Sequence, residues 1–143
     1  MRLELFVFAE YAAMTGDLKL MIAGTFNSIK LQPVSPDTTA DAPVIRLPHC
    51  FLVAVVTASL SEGLTHQAEL RVVNEDSDPV FDPIAVGEWN FLLNPNGRPM
   101  RFQAVMGLTG LELPGPGDYS VQLWVSGTNV GDTPLYVDPA PTG

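Results

Sequence analysis

The chain has 143 residues, enough for one self-sufficient core, and 46% of them are hydrophobic, which excludes a disordered polypeptide. Only 16% are charged, and the balance of 16 acidic to 7 basic residues gives a formal charge of −9; with no cluster of Lys or Arg, this argues against nucleic acid and against an anionic membrane surface as partners. The single cysteine, Cys50, excludes an intramolecular disulfide and gives no sign of an oxidising compartment.

The N-terminal run MRLELFVFAEYAAM is apolar, but Glu4 and Glu10 interrupt it and Arg2 is its one basic residue, so it reads as a first strand rather than a secretory leader. Period-two counting sets Leu3, Leu5, Val7 and Ala9 on one face and Arg2, Glu4, Phe6 and Phe8 on the other. A turn at Thr15-Gly16-Asp17 leads to a second strand with Leu18, Leu20, Ile22, Gly24 and Phe26 on one side. Residues 31–48 form a long segment with Pro33, Pro36, Pro43 and Pro48, expected to pass from one sheet to another. Residues 50–60 are apolar on both faces, with Leu52, Ala54, Val56 and Ala58 on one side and Phe51, Val53 and Val55 on the other. Ala68, Leu70 and Val72 alternate with polar Gln67, Glu69 and Arg71. A proline-containing loop spans 77–88, and Asn94-Pro95-Asn96-Gly97 is expected to close a hairpin. Phe102, Ala104, Met106 and Leu108 then alternate, and Pro114-Gly115-Pro116-Gly117 breaks the chain before Tyr119, Val121, Leu123 and Val125. Ser126-Gly127 offers a tight turn, and the last strand runs through Leu135 and Val137. Pro134 places that strand at an edge or a bulge.

No segment carries a helical period over three turns, and no apolar run reaches the ~20 residues of a membrane-spanning helix. Many short strands, punctuated by 13 prolines and 12 glycines, predict an all-β fold. The expected architecture is an antiparallel two-sheet Greek-key β-sandwich, immunoglobulin-like, in one domain over residues 1–143. Tyr119 follows a Pro-Gly corner, where such sandwiches carry a tyrosine bonded back to the backbone; a tyrosine simply packed in the core fits as well.

Reactive chemistry is thin. Glu75, Asp76, Asp78 and Asp82 are the candidate calcium ligands, because calcium takes several carboxylates on a flexible loop; the same residues are ordinary turn chemistry. His49, Cys50 and His66 are too few for zinc, and His49 and Cys50, being adjacent, point to opposite faces of a strand. There is no G-x-S-x-G elbow and no phosphate-cradling glycine loop with its lysine. The expectation is therefore no catalytic residue and no cofactor. The apolar excess says more. Phe6, Phe8, Phe51, Val53 and Trp124 fall on faces that period-two counting sends outward, where a solvated sheet would be polar. Either the chain's own loops cover them, or another protein does.

Ala9-Glu10-Tyr11-Ala12, Gly16-Asp17-Leu18-Lys19-Leu20 and Gly24-Thr25-Phe26-Asn27-Ser28-Ile29, with Leu108-Thr109-Gly110-Leu111-Glu112-Leu113-Pro114 and Pro116-Gly117-Asp118-Tyr119 later, resemble a family of small uncharacterised bacterial and phage-encoded proteins. The resemblance implies a single β-sandwich and carries no activity or functional residue; the long proline-rich segment at 31–48 departs from it, as a lineage-specific contact surface would. Together these readings predict a non-enzymatic interaction or structural module, self-associating or part of a larger assembly such as a phage particle, located in the cytoplasm or on a virion. The alternative is a sandwich that binds calcium or a small ligand through residues 75–82.

Overall fold

The computed structural model describes residues 1–17, 19–30, 45–93 and 96–139. Eleven strands are found among them: β1 (Arg2–Met14), β2 (Leu20–Phe26), β3 (Ser28–Lys30), β4 (Ile45–Arg46), β5 (Cys50–Ala58), β6 (Thr65–Val73), β7 (Ile84–Asn90), β8 (Met100–Leu108), β9 (Glu112–Leu113), β10 (Gly117–Val125) and β11 (Thr128–Asp138). The one helical element among the described residues is a 3-10 turn at Leu60–Glu62. The fold is all-β, as the periodicity predicts.

The strands form a four-stranded sheet in the order β2-β1-β5-β8, a five-stranded sheet in the order β3-β11-β10-β6-β7, and a two-stranded ladder of β4 with β9. Every pairing is antiparallel except β3 with β11, which is parallel. Inward residues of the two large sheets share one core: Phe6, Phe8, Leu52, Ala54 and Val56 from the first, Leu70, Val72, Val121, Leu123 and Leu135 from the second. Trp89 stacks on Phe102 with ring centroids 4.8 Å apart, joining the two sheets where β7 and β8 pass. Burial on this scale, at about 25 cal/mol per Å² of apolar surface, is what holds the sheets together.

Turn chemistry explains the connections. Ser126 and Gly127 link β10 to β11 with φ of 49° and 77°, the left-handed pair that a two-residue hairpin requires. Pro134 lies opposite Ser120 on β10, and on its other side β3 pairs only with Tyr136, Val137 and Asp138, so its missing N–H interrupts no ladder. Gly131 follows an irregularity in the register at Leu123/Trp124 and passes so close to Leu3 that an added Cβ would lie 2.4 Å from a Leu3 methyl.

Two expectations are corrected. Phe6 and Phe8 point inward, not outward, and are 8% and 1% exposed. The cause is a register shift between Leu3 and Leu5: Leu3 pairs with Val56, but Leu5 pairs with Val55, so Glu4 is the extra residue. A one-residue bulge reverses every side chain after it. The strands flanking the hairpin expected at residues 94–97, β7 and β8, belong to different sheets and do not pair with each other; Asn94 and Pro95 themselves lie outside the described residues. Of the proline-rich segment 31–48, residues 31–44 lie outside the described residues, and so does any role expected of them; its end forms β4.

Candidate functional site

The two outer faces of the molecule differ. On the five-stranded sheet, register sets Gln67, Glu69 and Arg71 of β6 beside Ser120, Gln122 and Trp124 of β10 and Asp132 of β11. These side chains satisfy one another. Arg71 donates to Glu69 at 2.7 Å, its guanidinium lies 3.7 Å over the Trp124 ring, the Trp124 indole N–H donates to Gln122 at 2.9 Å, and Ser120 donates to Asp132 at 2.9 Å. Such a face is at home in water. Trp124 points outward here, as the period predicts, but the Arg71 guanidinium is stacked on it.

The outer face of the four-stranded sheet is apolar at its centre, with Thr25, Thr57, Arg101 and Gln103 around it. After the bulge, β1 sends Leu5, Val7 and Ala9 to this side, where they join Phe51 and Val53 of β5 and Val105 of β8 in a cluster separate from the main core. Ala12, Leu20 and Ile22 of the β1–β2 hairpin pack with the same cluster, although register sets them on the side opposite Ala9. Every member of this hydrophobic cluster belongs to β1, β2, β5 or β8. Val53 and Val55 are buried, while Phe51 is half-buried and meets the exposed ring of Tyr11 edge-on at 6.1 Å.

The hairpin outruns the sheet. β5 pairs with β1 from Arg2 to Ala9, but β2 pairs with β1 from Phe8 to Met14, so residues 10–14 have β2 as their one partner strand among those described. This two-stranded arm carries Tyr11 at 52%, Met14 at 38% and Met21 at 55% exposure. Register puts Tyr11 and Met21 on the same side as Ala9, continuing the outer face. Of the five contact candidates, then, Phe51 and Val53 lie on one face, Trp124 lies on the opposite one, and Phe6 and Phe8 are core. The sequence reading missed Leu5, Val7, Tyr11, Met21 and Val105 as members of this face. A second group of exposed leucines, Leu60, Leu64, Leu92 and Leu93, lies at the other end of β1, near the Met1–Glu62 ion pair, and is not part of the cluster.

The titratable candidates are placed as structure. Asn74 accepts the N–H groups of Asp76 and Asp78 at 2.9 and 3.0 Å and closes the loop after β6. Glu75 accepts the Asp118 N–H at 3.2 Å across a shallow depression of about 290 Å³ that also holds Asp76; Asp78 and Asp82 do not line it. Among the described residues no three of His, Cys, Asp and Glu converge as metal ligands would. His49 meets Thr109 at 2.7 Å at the surface, while Cys50 is buried in the core. Burial pushes the Cys50 thiol up, so it should resist a thiol reagent such as dithionitrobenzoate in the native state and label at once in urea; rapid native labelling would contradict its placement. His66 is buried, its Nε2–H donating to the Gly63 carbonyl at 3.0 Å and its Nδ1 accepting from Ser126 at 2.7 Å, which ties two turns together.

Tyr119 is both packed in the core and bonded: its hydroxyl donates to the Gly115 carbonyl at 2.6 Å, across the Pro-Gly corner. Burial above all raises its pKa, with the Glu75 charge adding to the effect. Because the folded value is raised, the stability that Tyr119 contributes is complete below the ordinary tyrosine value of about 10 and falls as pH rises past it. Tyr119→Phe is expected to cost about 1 kcal/mol at neutral pH and to flatten the alkaline loss of stability; urea titrations at pH 7 and above pH 10 test both.

A family model described as a family of unknown function, DUF6941, matches residues 4–138. No curated protein matches the chain. No helix among the described residues is long and apolar enough to cross a membrane.

Proposed function

The chain belongs to the DUF6941 family of unknown function, and we propose that it is a non-catalytic interaction module whose contact surface is the outer face of the four-stranded sheet. The reading includes a single Greek-key, immunoglobulin-like β-sandwich as scaffold. Three observations support that scaffold. β5 pairs with β8 in one sheet while β6 pairs with β10 in the other, the crossed pairing of a Greek key. β3 lies parallel to the last strand at the sheet edge. Tyr119 near the start of β10 bonds back to Gly115, as the tyrosine corner of such domains does.

One observation carries the functional reading: the contrast between the two outer faces. The face of the five-stranded sheet is built from paired polar groups, and the other is built from Leu5, Val7, Ala9, Phe51, Val53 and Val105. Antiparallel sheets that face water show polar residues there, and contiguous apolar surface marks a contact site. The role is that of an assembly component, in the cytoplasm or on a particle built there, working without cofactor, nucleic acid or membrane. Gel filtration of an extract holding the tagged chain at native abundance tests it. Tyr11→Glu with Met21→Glu should shift the chain from a larger complex to the monomer position, and Tyr136→Glu on the polar side should not. Identical elution of all three would remove this face as the contact surface.

A further inference from the structure

We infer that Asn96 is a self-modification site, at which the chain converts an asparagine to isoaspartate and so becomes a substrate for protein-isoaspartate methyl transfer. In this reaction the Gly97 backbone nitrogen loses its proton and attacks the Asn96 side-chain carbonyl. The side-chain amide leaves as ammonia and a five-membered succinimide closes. Water then opens the ring at either carbonyl, giving aspartate or isoaspartate. The step needs no enzyme and no oxidant, only a following residue without a side chain to crowd the attack and a backbone that can bend into it.

The chain has six asparagines, and sequence and fold together single out one. Asn94 precedes Pro95, whose nitrogen carries no hydrogen to lose. The Asn74 side-chain oxygen accepts the Asp76 and Asp78 N–H groups, which fixes it in the loop after β6. Asn90 ends β7, and the next N–H, that of Phe91, donates to the Leu64 carbonyl at 2.7 Å. The Asn27 carbonyl accepts the Tyr136 N–H at 2.7 Å, and Ser28 after it opens β3. Asn129 lies within β11, accepts the Gly131 N–H at 3.0 Å, and precedes the β-branched Val130.

Asn96 differs in both sequence and setting. It is the asparagine followed by glycine, and residues 96–99 are all exposed. Asn96 and Gly97 lie outside every strand, between β7 and β8. An Asn-Gly pair in a two-residue hairpin is held by the ladder on either side, but β7 and β8 do not pair with each other. Gly97 has φ of +70°, and no heavy atom stands within 4 Å of where its Cβ would be, so the attacking nitrogen has no side chain beside it. Exposed loop segments of this kind open at little cost in free energy. The product sets a carboxylate next to Arg98. Isoaspartate also routes the main chain through the former side chain, adding a methylene to the connection and leaving a free α-carboxylate, the group that a methyltransferase esterifies with the methyl of S-adenosylmethionine.

Mass spectrometry with fragment-ion localisation tests the inference, on the native full chain held warm at mildly alkaline pH and sampled over days. Asn96 should gain one dalton, or three in ¹⁸O-water, and resolve into aspartate and isoaspartate forms. The isoaspartate form should take a labelled methyl group from S-adenosylmethionine when a protein-isoaspartate methyltransferase is added. Asn27, Asn74, Asn90 and Asn129 should react more than about tenfold more slowly. Gly97→Ala should slow the reaction at Asn96 by a similar factor. Asn96→Gln should abolish it with an unchanged urea midpoint, because the residue is exposed. An Asn96 that stays intact in the native chain yet reacts in urea is protected by the fold, and overturns the inference. So does another asparagine reacting first, or an Asn96 that yields no isoaspartate.

Discussion

Phe8→Ala is expected to destabilise the protein by about 3–5 kcal/mol, read as a fall in the urea midpoint with little change in slope. Phe8 is 1% exposed, stacks on Phe26 with ring centroids 5.6 Å apart, and belongs to the core between the two large sheets. Truncating it removes a full aromatic side chain and leaves a cavity that flanking strands cannot close, because both sheets are fixed by their ladders. The comparison with Phe51→Ala is the informative one. Phe51 is half-buried on the outer face, so its loss should cost the isolated chain much less. Equal costs for the two would mean that the bulge at Glu4 has been misplaced and that β1 presents its phenylalanines to the other side.

The second large effect is expected at Gly131. Gly131→Ala should cost about 1–3 kcal/mol, the usual range for overpacking. Its φ of +157° is one that side chains other than glycine rarely adopt, and its new Cβ would collide with the Leu3 methyl. The collision tests the contact between β1 and β11. Leu3→Ala removes the obstructing methyl and costs stability itself, yet combined with Gly131→Ala the loss should be smaller than the sum of the two. A double-mutant cycle measures this as a coupling of about 0.5 kcal/mol or more. Strict additivity would show that Leu3 does not sit against Gly131, and would undo the account of how the first strand joins the second sheet.

These residues also show what the sequence made legible. The alternation over Tyr119, Val121, Leu123 and Val125 places β10 and its inward set correctly, because its other side is polar and only one register buries the apolar row. The same holds for β6. In β1 both rows are apolar, so polarity has nothing to say about which faces the core, and the extra residue at Glu4 leaves no mark in the pattern. The counting therefore assigned Phe6 and Phe8 to the outside. On β5, Phe51 and Val53 were assigned correctly because no bulge interrupts that strand's pairing with β8. The length of the β1–β2 arm depends on where β5 ends, a tertiary fact, so Tyr11 and Met21 could not be singled out. Asn94 to Gly97 has hairpin composition, but turn composition does not state whether the next strand joins the same sheet. For Tyr119 the Pro-Gly corner leaves a bonded hydroxyl and a simply packed ring equally open, and the structure combines the two.

Hydroxyl-radical footprinting tests the central claim most directly, with two tyrosines of the same chain as each other's control. In a lone chain Tyr11, at 52% exposure, should be oxidised faster than Tyr136, at 39%. In the assembled protein the order should invert: Tyr11, with Met21, is protected, and Tyr136 on the polar side reacts as before. Dilution should restore the original order. Tyr11 and Met21 reacting faster than Tyr136 at every concentration, in extract as in purified protein, would contradict the account.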